Sequence, residues 1–263
     1  MRVDDPADLV PIFERDREVH AYGLADLESP YWERSEWHRR GDATVGIVDL
    51  GDGVTTVYAV SAADPEGSLA LTLDLLPRIP PGTMITGPIG LAAAVGALLS
   101  IDDLGVHVKC ARRSAGDVPD ASALIPLSRD DYPQLAALHA TAPGDAFVLE
   151  AMLEDDTFVG LPDPDDPGRL IAAAGTHVLS ERFRIAAIGA VLVGPAYRGR
   201  GLGAVVTAGV IGRLVGRVDT IALNVEAGNT PARRTYERLG FVDVLDYEEI
   251  IVKPKVKRGS DPS

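Results

Sequence analysis

The sequence predicts an α/β fold in which helices cover a mixed sheet, and three stretches carry that expectation. Residues 44–60 hold two β-capable runs, TVGIVDL and GVTTVYAV, on either side of Gly51-Asp52-Gly53, the pattern of a hairpin. Residues 169–194 hold two more, RLIAAAGTHVLS and RIAAIGAVLVG, paired around Glu181-Arg182. The second of these stops at Gly194-Pro195, a short arginine and glycine loop follows, and an apolar helical pattern then begins without further punctuation.

Taken in order, the first half opens with a helical stripe at Leu9, Ile12 and Phe13 that extends through ERDREVHAYGLADL, with Pro11 either in its first turn or resetting its start. A polar segment with Trp32 and Glu33 runs to Arg40 and precedes the hairpin. SLALTLDLL is helical and ends at Pro77 and Pro80-Pro81, MIT at 84–86 is a short strand, LAAAVGALL is a helix and GVHVKCA a strand. Tyr22, Tyr31, Trp32 and Trp37 either line a groove or dock a helical arm on the core.

Residues 111–123, ARRSAGDVPDASA, are small, polar and broken by Pro119, which makes them the domain boundary. We therefore place domains at 1–114 and 115–253, with a flexible tail at 254–263. LIPLSRDDYPQLAALHA gives a strand and a helix with Ser128 and Asp131 as a capping box, and another helix is expected at 146–153. TFVGLPD is a strand, and PDPDDPG a turn whose acidity reads as solvation. After the glycine loop, the helix carries Leu202, Val205, Val206 and Leu214 on one face, and Gly209 and Gly212 point to close packing on a sheet. IALNVEA is the next strand, and a last helix runs from Thr230-Pro231 to Gly240, with Ala232, Tyr236 and Leu239 on one face.

Composition narrows the function. Over 263 residues the chain is 46% hydrophobic and 24% charged, an ordinary globular composition, and its net charge of −14 argues against a nucleic-acid partner. The single cysteine, Cys110, sits in a strand-like run and reads as a packed thiol; neither it nor the scattered His20, His38 and His107 has metal-ligand spacing, so no metal is expected. The N-terminal stretch lacks the apolar core of a signal peptide and no apolar run is long enough to span a bilayer, so the expectation is a cytoplasmic protein, monomer or homodimer, without a membrane partner.

The glycine loop is the strongest chemical signal. The first amides of a helix have no intrahelical acceptor and sit at the positive end of its dipole, so they form an anion site. Gly199, Gly201 and Gly203 permit close backbone approach, and a pyrophosphate is the expected occupant. Gly87-Pro88-Ile89-Gly90 in the first half carries no arginine, and Pro88 removes an amide, so no cofactor loop is read there.

RGRGLG at 198–203 and LNVEAGNTPARRTYERLGF at 223–241 together resemble the GCN5-related N-acetyltransferase (GNAT) superfamily. The first matches its (Q/R)-x-x-G-x-(G/A) acyl-CoA loop, and the second supplies N-x-x-A-x-x-x-Y followed by Leu-Gly-Phe. The resemblance spans about residues 122–253; by element order the first half looks like a degenerate copy of the same fold without a CoA loop. It implies a mostly antiparallel sheet that splays where CoA enters, and acetyl-CoA as cosubstrate for transfer to an amine acceptor. It further implies that Ala190, Val191, Leu192 and Val193 pair with the pantetheine arm. The amides of Arg198, Gly199, Arg200, Gly201, Leu202 and Gly203 take the pyrophosphate, Asn224 and Asn229 contact the arm, Ala232 faces the thioester, and Tyr236 is the general acid. The same tyrosine also fits a purely packing role. Glu226, His177, Glu150 and Glu154 remain candidates for the base, none of them marked. The competing readings are a non-catalytic acyl-CoA-binding or regulatory protein, and an acyltransferase with another donor or acceptor.

Overall fold

The computed structural model describes residues 1–51, 53–141 and 148–254. In chain order its elements are β1 (Arg2–Val3), α1 (Val10–Phe13), α2 (Ala21–Ala25), β2 (Ser35–Arg40), β3 (Ala43–Gly51), β4 (Val54–Tyr58), α3 (Pro65–Leu75), β5 (Met84–Gly87), α4 (Leu91–Gly96) and β6 (Ile101–Arg112). There follow β7 (Ile125–Pro126), α5 (Tyr132–Ala140), β8 (Val159–Asp163), β9 (Asp166–Ser180), β10 (Ile185–Val193), α6 (Leu202–Leu214), β11 (Thr220–Glu226), α7 (Thr230–Arg238) and β12 (Phe241–Val252). Two compact units are present. Met1–Asp16, Asp26–His107 and the segment from Leu245 form the first; Arg17–Ala25 and Val108–Val244 form the second.

This partition corrects the boundary expected at 114/115. β6 and β12 each run unbroken from one unit into the other, so the change of unit falls inside regular strands, where composition gives no signal. The composition break at 111–123 lies just after β6 and marks only the loop that follows it. The tail expected at 254–263 falls, apart from Pro254, outside the described residues.

In the first unit the strands follow the order β1-β2-β3-β4-β5-β12. Neighbours are antiparallel except β4 and β5, which are parallel and joined through α3. Val45, Val57, Leu71, Leu75, Ile85, Leu91 and Ile250 form its core. The single helix expected from Leu9 onward is instead a series of short pieces: α1 is four residues with no side-chain cap, and a 3₁₀ turn at Glu14–Asp16 follows it. Strand β2 was not expected. Its sequence, SEWHRR, is mostly polar, but Trp37 is wholly buried, and a Cβ added at Gly46 on β3 would lie 2.7 Å from the Trp37 ring. The indole lies flat on the space that glycine leaves, which is a packing fact no polarity pattern encodes.

In the second unit the order is β12-β6-β11-β10-β9-β8-β7. β7 through β10 are antiparallel to their neighbours, and β10 is parallel to β11, with α6 between them in sequence. One face of this sheet carries Ala186, Ile188, Val206, Val210, Leu214, Leu223 and Tyr236; another cluster joins Leu135, Leu138, Phe158, Ala173, Ala190 and Leu192. The Ser128–Asp131 capping box is present. The helix expected at 146–153 is a 3₁₀ helix at Glu150–Asp155, Ala146 lying outside the described residues.

Gly209 is packed as its position in α6 suggests: an added Cβ would stand 2.4 Å from Leu124 Cδ1 and 3.2 Å from Val159 Cγ2. Gly212 is not, since nothing lies within 4 Å of its Cβ position. Gly209→Val is therefore expected to lower stability by about 1–3 kcal/mol through overpacking, measured by urea unfolding, whereas Gly212→Ala should stabilise slightly by helix propensity.

Candidate active site

The site is built from a defect in strand pairing. β10 and β11 pair from Ile185↔Thr220 to Ile188↔Leu223 and then stop, although β10 continues to Val193 and β11 to Glu226. Residues 189–193 and 224–226 therefore diverge from a common apex. A bulge drives the divergence: Gly189 pairs with Gly175 and Leu192 with Ala173, so β10 holds one residue more than β9 across this interval. Ala190, within it, has φ +50°, a conformation rarely adopted by a residue with a Cβ. Ala190 and Leu192 are buried, while Val191 and Val193 are half-buried against the opposite core cluster.

Beyond β10 the chain makes a 3₁₀ turn at Pro195–Tyr197 and reaches the glycine loop, with φ +76° at Gly199 and +77° at Gly201. These left-handed values are open to glycine at no steric cost. Among the described residues, the amides of Gly199, Arg200, Gly201, Leu202 and Gly203 find no acceptor within the protein, and α6 begins without a side-chain cap. Arg198 Nε donates to the Val193 carbonyl at 3.3 Å and an Arg200 guanidinium nitrogen to the Ala196 carbonyl at 3.3 Å, which keeps both cations beside the loop.

The contrast with the first unit gives this weight. There β4 and β5 stay paired to Tyr58↔Thr86, and the Ala59 amide continues the ladder to the Thr86 carbonyl at 2.8 Å. The N-terminus of α3 is closed by Asp64, whose carboxylate accepts from the Gly67 amide at 2.9 Å, and that of α4 by Glu248, which accepts from the Ala92 amide at 2.7 Å. Where the first unit supplies its own carboxylates, the second leaves the amides of α6 open.

The remaining predicted residues lie along β11 and α7. Asn224 is the first residue past the apex, and its carbonyl oxygen accepts from Lys109 Nζ at 3.4 Å. The Asn229 side chain caps α7, accepting from the Ala232 amide at 3.2 Å, so that oxygen is already engaged; Ala232 is half-buried. Tyr236 is 8% exposed, its ring edge-on to Phe241 with centroids 6.1 Å apart. Burial, with a smaller contribution from Cys110, pushes its hydroxyl up to about 12, so it is protonated at neutral pH.

Comparison with known proteins agrees with this geometry. Residues 167–250 match the family described as FR47-like protein. A mycothiol acetyltransferase from Mycobacterium avium (strain 104) is 41% identical over 90 residues, covering 31% of this chain and 28% of that protein. The match thus spans little more than a quarter of that relative. A Drosophila protein of known structure superposes with a TM-score of 0.71 at 18% identity, over 97% of this chain and 99% of that one. A tandem GNAT protein from the clavulanic acid biosynthesis pathway does so with a TM-score of 0.50 at 12% identity, over 95% and 97% of the two chains. These likenesses show the fold of GNAT-family structures. The chain's α/β fold is the GNAT fold, and the tandem neighbour covers both units.

Within this GNAT fold the candidate bases are placed unequally. Glu150 and Glu154 both pair with Arg129, at 2.8 and 2.7 Å, and Glu226 is exposed. The His177 ring lies against Gly189, where an added Cβ would stand 2.4 Å from it, and its Nδ1 is 3.2 Å from the Tyr22 hydroxyl. His177 thus stands at the apex of the splay, on a residue whose missing side chain makes room for it. Cys110 is buried, with Sγ 3.5 Å from Asp243 Oδ1. Among the described residues no group of three or more His, Cys, Asp or Glu is arranged to hold a metal, and no helix is long and apolar enough to cross a membrane.

One part of the site was misread in the sequence. The acidic turn at 162–168 is not merely solvated: Asp163 is 2% exposed, and its carboxylate accepts from the Tyr197 hydroxyl at 2.7 Å and pairs with Arg169. Asp163 and Arg169 lie six residues apart on the β8–β9 hairpin, but Tyr197 is 34 residues beyond Asp163, and only the fold brings that hairpin to the glycine loop.

Proposed function

We propose that the second unit is an acetyl-CoA-dependent N-acetyltransferase that moves the acetyl group directly to a primary amine. The observation that carries this reading is the pairing of two features, a strand ladder that opens after Ile188 and a run of five amides, 199–203, without a protein acceptor where the loop enters the uncapped α6. A pantetheine arm fits the first because it carries amides that can add to the open edge at Ala190, Val191, Leu192 and Val193. A pyrophosphate fits the second, at Arg198, Gly199, Arg200, Gly201, Leu202 and Gly203. Asn224, at the apex, would bond the arm through its amide, and Asn229 would act chiefly by fixing the start of α7 beside Ala232.

In this reading the amine nitrogen attacks the thioester carbonyl, the C–N bond forms, the C–S bond breaks and its electron pair leaves on the CoA sulfur. Tyr236, neutral at working pH, gives its proton to that sulfur, and the proton lost by the amine returns to solvent or to the phenolate. The acceptor is a small molecule, an amino acid or a peptide amine. The Mycobacterium avium relative is a mycothiol acetyltransferase, and a match over 90 residues supports acetyl transfer here without supplying its acceptor.

Calorimetry with CoA tests the first half of the reading: saturable one-to-one binding is expected, and its absence would remove the proposal. Direct transfer is tested by Cys110→Ala. Thiol release from acetyl-CoA should be unchanged, at a stability cost of about 1 kcal/mol for the vacated sulfur, while loss of transfer would point to an acyl-cysteine intermediate. The burial of Tyr236 also favours a second reading, a protein that holds acyl-CoA without turning it over.

A further inference from the structure

Tyr197 is the last residue of the 3₁₀ turn that leads into the glycine loop, and it is held from several directions. Its amide donates to the Gly194 carbonyl at 2.8 Å, and the Gly194 amide in turn donates to Ile171 on β9 at 2.9 Å. Its hydroxyl donates to the buried carboxylate of Asp163 at 2.7 Å and accepts from Arg169 at 3.1 Å. Two guanidinium groups lie over its ring, Arg169 at 5.9 Å and Arg200 at 5.3 Å from the centroid. Asp163 is held charged, below the usual carboxylate range, by the Asp165 amide, the Tyr197 hydroxyl and Arg169.

A buried carboxylate is a poor way to add stability, because the desolvation it suffers offsets most of what its partners return. Here it tethers a segment with almost no apolar core of its own, since Pro195 and Ala196 are exposed. What the tether does fix is the position of the next six residues. Arg200 is drawn back along the loop, stacked on Tyr197 and bonded to the Ala196 carbonyl, so its cation stays beside the open amides of 199–203.

We propose that Tyr197, clamped by Asp163 and Arg169, is the positioning residue of the anion loop, setting the loop's amides and Arg200 in the binding geometry before the cofactor arrives. The proposal rests on the acetyl-CoA reading above. Preorganisation raises affinity by removing an ordering cost from binding. The clamp therefore acts on CoA affinity and not on the chemical step.

The test compares CoA binding to the full chain by calorimetry for the native protein, Tyr197→Phe, Tyr197→Leu and Asp163→Asn. Tyr197→Phe keeps the ring and loses the hydroxyl, and CoA affinity should fall about 3- to 10-fold, the share of one charge-assisted hydrogen bond. Tyr197→Leu loses the cation platform as well and should fall further, so that Phe is a partial rescue of Leu. Hydrogen exchange of the amides in 198–203 should be faster in both variants without CoA and return to native values when CoA is saturating. A simple loss of stability would instead raise exchange across the whole second unit. If Asp163→Asn does not fold, Arg169→Lys replaces it, with the same expected direction. Native affinity in both Tyr197 variants would overturn the clamp while leaving the acetyl-CoA reading standing. Failure of the native protein to bind CoA would overturn both.

Discussion

Tyr236→Phe is expected to reduce acetyl transfer by roughly 100-fold while CoA affinity stays within about twofold of native, the signature of a lost general acid and not of a lost binding group. The substitution removes one hydroxyl and leaves the edge-on packing with Phe241 in place, so the fold should be little disturbed. The pH profile gives an independent check. Burial raises this hydroxyl to about 12, and the protonated form is the one that donates, so no loss of activity due to Tyr236 should occur as pH rises through 9 and 10. An unchanged rate in the phenylalanine variant would return Tyr236 to core packing.

Gly201→Asp is expected to weaken CoA binding by roughly 100-fold, since it sets a carboxylate at the helix start where the pyrophosphate is proposed to lie. The variant puts a carboxylate at the N-cap position of α6, the position Asp64 holds at α3, though with φ +77° in place of −144°. Nothing lies within 4 Å of the Cβ position at Gly201, so the cost to folding is confined to its φ of +77°, which Asp and Asn tolerate better than most residues. Gly201→Asn carries no charge and should fall between the two. Calorimetry with CoA reads both, and equal affinity in the aspartate variant would mean that the pyrophosphate is not held at this helix start.

What could be read from the sequence follows the range of the interactions involved. The glycine loop, α6, the Pro-led α7 and the Ser128–Asp131 capping box depend on residues within a few positions of one another, and each is where its pattern put it. The splay of β10 from β11 followed from the family resemblance, but its cause, the bulge at Ala190, is a register relation with β9 that no local pattern reveals. Strand β2 was hidden because its burial depends on one glycine across the sheet. The Asp163–Tyr197–Arg169 cluster was hidden for the same reason: an aspartate in a Pro-Asp-rich turn looks solvated until the hairpin folds it against residue 197. The change of unit was hidden because it falls inside β6 and β12, each a single continuous strand with no loop or turn signal at the change.

The central claim is that the open strand edge and the uncapped helix serve acyl transfer to an amine. The most direct measurement incubates the purified chain with acetyl-CoA and a panel of amines, amino acids and peptides, following free thiol and acetylated product together by liquid chromatography and mass spectrometry. CoA thiol and one acetylated amine should appear in equal amounts, saturating with acetyl-CoA and falling sharply in Tyr236→Phe. Tight retention of CoA with no thiol released across the panel would contradict that claim and identify a binding protein.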